Sequence, residues 1–192
     1  MEDIKEEIII RTPTEVAERV LGVIASVGKV YFSEKNQIWI EENNIEQYLS
    51  PEEAEFINNP EPNDDDRVNF SWKIEALVPL LWSLKGLDEI PAFNEQFNIW
   101  SDELVLKAIR NTRDFLADAE LKDDEILTQM ESFLYHQHWR VRDRDMGFNI
   151  DQPSEDDIDI NELNSGIVYE RRYGMSWVVG YGETWDDVPT DT

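Results

Sequence analysis

The only two histidines of the chain stand two residues apart, in the segment Tyr135-His136-Gln137-His138-Trp139-Arg140-Val141-Arg142-Asp143. Histidine beside arginine and aspartate is equipment for proton transfer or for metal binding. The spacing argues against the metal. On a helix, residues two apart point to different faces, so His136 and His138 cannot share an ion as a pair spaced by four does. His138, with Arg142 one turn further on, reads as a histidine hydrogen-bonded in or beside a core. Asp143, Asp145, Asn149 and Asp151 alternate as calcium-loop ligands do, yet Gly147 comes one position too early and Ser154 stands where that loop requires an acid. Asp64-Asp65-Asp66 are consecutive carboxylates that repel one another and read as a solvated loop. Asp186-Asp187 is a carboxylate pair of the kind acid–base chemistry uses, but in a chain with 43 acids its adjacency carries little information. No phosphate-binding, nucleophile-elbow, zinc-protease or dinucleotide motif is present, and no metal or cofactor is expected.

These side chains need helices to hold them. Thr12-Pro13-Thr14-Glu15 and Ser50-Pro51-Glu52-Glu53 are two capping boxes of one design, each with proline at the first helical position. The first opens a helix with Val16, Val20, Ile24 and Val27 inward and Gly28 as its stop. Val30-Tyr31-Phe32 reads as a short strand that pairs with Ile8 to Ile10, and a helix over Gln37–Tyr48 follows, with Ile38, Ile45 and Leu49 inward. Residues 58–66, with two prolines, read as an acidic loop. Phe70 to Leu84 is the most apolar stretch, with Ile74, Leu77, Val78, Leu81 and Trp82 inward, and Pro79 predicts a kink or break near Glu75 to Leu77. Glu75, flanked by Ile74, Ala76 and Leu77, then needs a cationic partner, for which Arg142 and Arg171 are the candidates. A helix capped by Ser101 runs to Ala119, another starts at Asp123 or Asp124 and reaches Arg144, and residues 151–162 read as an exposed acidic loop. The last stretch, Ile167 to Thr192, carries Arg171-Arg172, Trp177, Tyr181 and Trp185-Asp186-Asp187, and reads as a docked helix with a tail fastened back onto the body.

Composition narrows the partners. Seventeen Lys and Arg against 43 Asp and Glu leave a net charge of −26, which argues against nucleic-acid phosphates and anionic lipid and favours a basic protein partner. Hydrophobic content of 41% with 21 aromatics suffices for a core, so the chain is expected to fold despite its charge. The absence of cysteine suits a reducing compartment, and the acidic start at Met1 to Glu7 shows no targeting segment, so the cytoplasm is the expected location.

The segments WKIEALVPLLWSL (72–84), HWRVRD (138–143), ERRYGMSWVVGY (170–181) and WDDVPTDT (185–192) together resemble a bacterial domain family of unknown function. The resemblance runs from about Arg11 to Thr192 and is densest in the second half. It implies a shared fold and shared polar positions, and it supplies no mechanism. Those positions are Glu75, His138, Arg142, Asp143, Glu170, Arg171, Trp177, Trp185, Asp186 and Asp187. Their opposite charges suggest one ion-pair and aromatic network stapling the last two helices and the tail together.

The expected architecture is one mainly α domain over residues 1–192, with six to nine helices, an N-terminal extension at 1–10 and at most a small β element. The first functional reading is an acidic interaction module, immunity-type inhibitors being one instance, whose acidic face covers a basic target. The alternative is an enzyme or small-ligand binder using His138, Arg142, Asp143, Glu170 and Asp187. Acids gathered over exposed aromatics such as Trp39 or Trp100 favour the first reading; a concave pocket lined by the polar cluster favours the second.

Overall fold

The computed structural model describes residues 9–148 and 153–191. Most of the expected N-terminal extension, the Ile8 end of the proposed strand pair, residues 149–152 and Thr192 lie outside the described residues. Among the described residues there are seven α-helices joined by short 3-10 turns and no strand.

Both capping boxes form. Thr12 starts α1 (Pro13–Asn43): Glu15 Oε2 takes the Thr12 amide at 2.7 Å, and the Thr12 hydroxyl accepts from the Glu15 amide. From Val16 to Lys29 almost every side chain of α1 is buried, so this helix must be enclosed on all sides. Gly28 does not end it. A Cβ there would meet the Asn36 amide, with Cγ at 2.8 Å, and Asn36 Nδ2 donates to the Ala25 carbonyl at 2.7 Å. The glycine thus makes room for a side chain that folds back across an irregular residue, Phe32 (φ −141°, ψ 43°), about which the helix continues. The expected strand at Val30-Tyr31-Phe32 is therefore helix, with Tyr31 and Phe32 set edge-on to Trp100. Asn44, in the left-handed region at φ 54°, closes α1, and Ile45–Tyr48 form a 3-10 turn. Ile45 is buried as expected, whereas Ile38 points to solvent.

Ser50 caps α2 (Pro51–Asn58) in the same way. The following connection is shorter than its composition suggests. Asn63 Oδ1 accepts from the Asp66 amide at 2.8 Å and starts α3 (Asp64–Ser83), so the aspartate run becomes a first helical turn, where carboxylates complement the helix dipole. Pro79 lies inside α3 without breaking it. The missing donor costs one hydrogen bond, but residues 74–83 are buried throughout, with α1 and α7 (Ser165–Val178) packed against this helix. That burial outweighs the lost bond. Asp102 rather than Ser101 caps α4 (Glu103–Arg110), and Asn111 (φ −144°, ψ 60°) separates it from α5 (Thr112–Ala117), where one helix had been expected.

Helix α6 (Asp124–Asp145) packs on the other side of α7. It also holds the described part of the acidic connection before α7. Gln137 Nε2 donates to Asp157 at 2.8 Å, Arg140 to the Ile158 carbonyl at 2.7 Å, and Arg144 to the carbonyls of Ile160 and Leu163 at 2.7 and 2.8 Å. One hydrophobic cluster runs from α1 through α3 to α7 and α6. Among the described residues no helix is long and apolar enough to cross a membrane.

The α3–α7 crossing depends on one glycine. A Cβ on Gly174 would collide with the Ala76 carbonyl oxygen and stand 2.8 Å from Pro79 Cγ. Because backbone cannot move aside as a flexible side chain does, Gly174→Ala is expected to destabilise the fold by about 3 kcal/mol or more, the upper end for overpacking. An unchanged urea midpoint would show that the two helices do not approach so closely.

Candidate functional site

Three consecutive charged residues of α7 face three different neighbours. Arg171 points into the core, where its Nε donates to Glu75 Oε2 at 2.8 Å, and both side chains are fully buried. Glu75 Oε1 accepts the Phe97 amide at 2.8 Å, while Arg171 also reaches the Pro91 carbonyl and lies over the Phe93 ring. Burial pulls the Arg171 pKa down, and the facing Glu75 charge opposes that shift. Of the two cations expected for Glu75, Arg171 is thus the partner; Arg142 sits half-buried on α6.

Arg172 turns toward α6 and the tail. Its guanidinium donates to His138 Nδ1 at 2.8 Å and to the carbonyls of Thr190 and Asp191 at 3.1 and 3.0 Å, and it lies over the Tyr135 ring. An arginine can only donate, so His138 Nδ1 is the acceptor and its proton sits on Nε2. Burial, reinforced by the charges of Arg172 and Arg142, pushes the His138 pKa down to about 4. The other histidine, His136, lies on the exposed side of α6, 3.2 Å from Asp157.

Glu170 opens onto a cleft of about 550 Å³ between α2, α3, α7 and the Trp185–Asp187 turn. Its walls carry six carboxylates, Glu52, Glu53, Glu55, Asp66, Glu170 and Asp186, against one cation, Lys73. Apart from Asn59 and Asn69 the remaining lining is aromatic: Phe70 is stacked on Phe56 with centroids 4.0 Å apart, and Trp72, Tyr169, Tyr173 and Trp185 complete it. Lys73 Nζ sits 3.0 Å from Glu170 Oε2 and 4.4 Å from the Tyr173 ring centre. Asp186 Oδ2 accepts the Glu52 amide at 3.1 Å and so fastens the tail to the start of α2. Glu53, 2% exposed, pairs through Oε2 with Arg19 and the Ser50 amide, but its Oε1 has no hydrogen-bond partner among the described residues. Burial raises the pKa of both Glu53 and Glu170, with Arg19 and Lys73 respectively pulling the other way.

The polar residues singled out from the sequence are therefore distributed. Glu170 and Asp186 line the acidic cleft with Trp185; His138 belongs to the tail clamp; Asp143 lines a small separate pocket with Trp139 and Arg140; and Asp187 is exposed, accepting from the Thr184 hydroxyl at 2.8 Å. Trp177 meets Trp185 edge-on at 5.6 Å with Arg11 over its ring. The acids gather over Phe70, Trp72 and Tyr173, whereas Trp39 and Trp100 line an apolar groove with Lys35. Sequence reasoning missed Lys73, Arg19 and the second role of Glu53, and gave Arg172 no partner. The available signal was Lys73 itself, a lone cation between Trp72 and Ile74 in the most apolar stretch. Among the described residues no three His, Asp or Glu side chains converge in a group fit to hold a metal.

The chain belongs to the family described as Domain of unknown function (DUF4272), whose model matches residues 2–188. Comparison with curated proteins and with solved structures finds no match.

Two stability experiments follow from the ionic core. Arg171→Met and Glu75→Gln each strand the opposite member of a buried pair, at an expected cost of about 3–5 kcal/mol, and the double variant should recover part of that loss. Additive losses in urea titrations would mean that the pair is not coupled. For His138, the unfolded chain takes up a proton near the usual 6.5 and the folded chain only near 4. This group therefore lowers stability as pH falls through that window, by about 1.4 kcal/mol per unit at most. His138→Gln keeps an acceptor for Arg172 and removes the titration. Because the raised carboxylates titrate in both proteins, the difference between variant and wild type isolates the histidine. Parallel curves of stability against pH would refute the assignment.

Proposed function

We propose that the protein is an acidic interaction module that captures a basic segment of a partner protein in the cleft between α2, α3 and α7. The observation that carries this reading is the pairing, in one concave site, of an aromatic lining with six carboxylates, among them buried Glu53, whose second oxygen has no partner among the described residues. Carboxylates over aromatic faces select organic cations twice, by charge and by the ring quadrupole. The size of the cleft suits a side chain or two rather than a flat docking face. An immunity-type inhibitor that covers a basic target is one form such a module takes. The setting that goes with this reading is the bacterial cytoplasm, which a cysteine-free chain suits.

Trp72 and Trp185 line the cleft and supply its reporter. A tetralysine peptide should change their fluorescence saturably at low salt and lose most of its affinity at high salt. The double variant Glu55→Gln, Asp66→Asn removes two rim charges without touching the buried pairs, and should weaken binding by about tenfold, as two partly exposed ion pairs imply. Burial raises the pKa of Glu53 and Glu170, so as pH is lowered these carboxylates take up protons before ordinary glutamates do, and the affinity for a cation should fall. Binding that is indifferent to the two rim substitutions would place the peptide elsewhere and defeat the proposal.

A further inference from the structure

The cleft already contains a cation, and it is the chain's own. Lys73 reaches from α3 across to α7, where its ammonium meets Glu170 at 3.0 Å and lies over Tyr173 at 4.4 Å. The seat has a fixed geometry. Tyr173 is held by donating its hydroxyl to the Trp185 carbonyl, its ring is edge-on to Trp185 at 5.1 Å, and Glu170 is 8% exposed on a buried helix. Lys73 is less constrained, with about a fifth of its side chain exposed, and it is the lone cation among the lining residues. A carboxylate and an aromatic face around one ammonium form a recognition element for a lysine-type group, since an ammonium is a compact point charge that needs no planar fork of acceptors.

We infer that Lys73 is a built-in stand-in for the ligand: the Glu170–Tyr173 seat recognises a primary ammonium on an alkyl chain, a lysine of the protein partner, which binds by displacing Lys73. This rests on the cleft reading above and adds to it the chemical class of the bound group and an internal competitor. Burial works against the Glu170 charge, so the seat is occupied by a cation in both states and the carboxylate is never left alone in the wall. The displaced Lys73 retains Glu52, Glu55 and Asp66 within the same cleft as alternative partners.

The test compares wild type with Lys73→Met, which keeps an unbranched apolar stem and removes the charge, by calorimetric titration with tetralysine, tetra-arginine and spermine. Tetralysine should bind Lys73→Met about fivefold more tightly than wild type, the ratio expected when one partly exposed ion pair no longer competes. Equal or weaker binding to the variant overturns the stand-in while leaving the cleft reading intact; no binding to either protein overturns both. An equal gain for tetra-arginine would defeat the preference for an ammonium, and spermine binding more tightly than tetralysine would defeat a protein lysine as its source. A measurement on wild type guards against a variant that folds poorly. The Lys73 ε-methylene resonances should be shifted upfield by the Tyr173 ring and should move toward ordinary lysine positions as tetralysine saturates the cleft. Resonances unmoved at saturation would show that Lys73 is not displaced.

Discussion

A charge pair with no access to water sets the constraint under which the rest of this structure is built. Glu75 and Arg171 are both fully buried, and the desolvation of two such ions is tolerable only when each is also hydrogen-bonded. Glu75 has the Phe97 amide and Arg171 the Pro91 carbonyl, so the long connection between α3 and α4 is drawn over the pair by the same need. Gly174 and Pro79 complete the constraint from the apolar side, since the backbones approach to a distance that admits no side chain between them. The rotation of α7 is then fixed. Successive residues of a helix are turned by about 100°, so with Arg171 directed into the core, Glu170 must emerge on one side and Arg172 on the other. One buried contact thereby places both the cleft and the tail clamp.

The two outward faces are linked again through the C-terminal segment. Arg172 holds the carbonyls of Thr190 and Asp191, while Trp185 and Asp186, a few residues earlier, form part of the cleft wall. Trp185 is packed edge-on to both Tyr173 and Trp177 and has Arg19 over its ring. Arg19 in turn pairs with Glu53 at the floor of the cleft. The tail is therefore a structural wall of the cleft rather than an appendage, and neutral His138 serves it by accepting from Arg172 without adding a second positive charge.

What the sequence made legible was local. Both capping boxes, the starting position of α6 and the buried faces of α1 and α3 follow from residue type and short-range spacing, which act over a single turn. The errors arose where a distant partner decided. Gly28 looks like a stop, but Asn36 fills the space its missing side chain leaves, and the helix passes on through Tyr31 and Phe32, against which Trp100 of another element packs edge-on. Pro79 looks like a break, but α1 and α7 enclose its helix. The polar positions of α6, α7 and the tail read as one network in the sequence; in the structure Arg172 ties the tail to α7 and to His138 of α6. Their division among a core pair, a tail clamp and a cleft depends on the rotation of α7 against α3, which no spacing within one segment encodes. Glu53 shows the same limit, since a capping glutamate and a buried cleft carboxylate are one residue in one sequence context.

Net charge alone would not single out the cleft. Most of the 43 acids lie on solvated surface, where charges further apart than about 8 Å are screened from one another at physiological salt. A diffuse acidic surface of that kind steers basic molecules without choosing among them. The cleft differs in its backing. Its carboxylates stand beside stacked and edge-packed aromatic rings, and against such a low-dielectric wall the same charges interact more strongly than in bulk solvent. The protein itself responds to that field: of the residues that line the cleft, the single cation is drawn across it to Glu170, a buried carboxylate, and over the Tyr173 ring. The placement of Lys73 thus marks where, within a broadly acidic molecule, the chain's own cation finds a carboxylate and an aromatic face together.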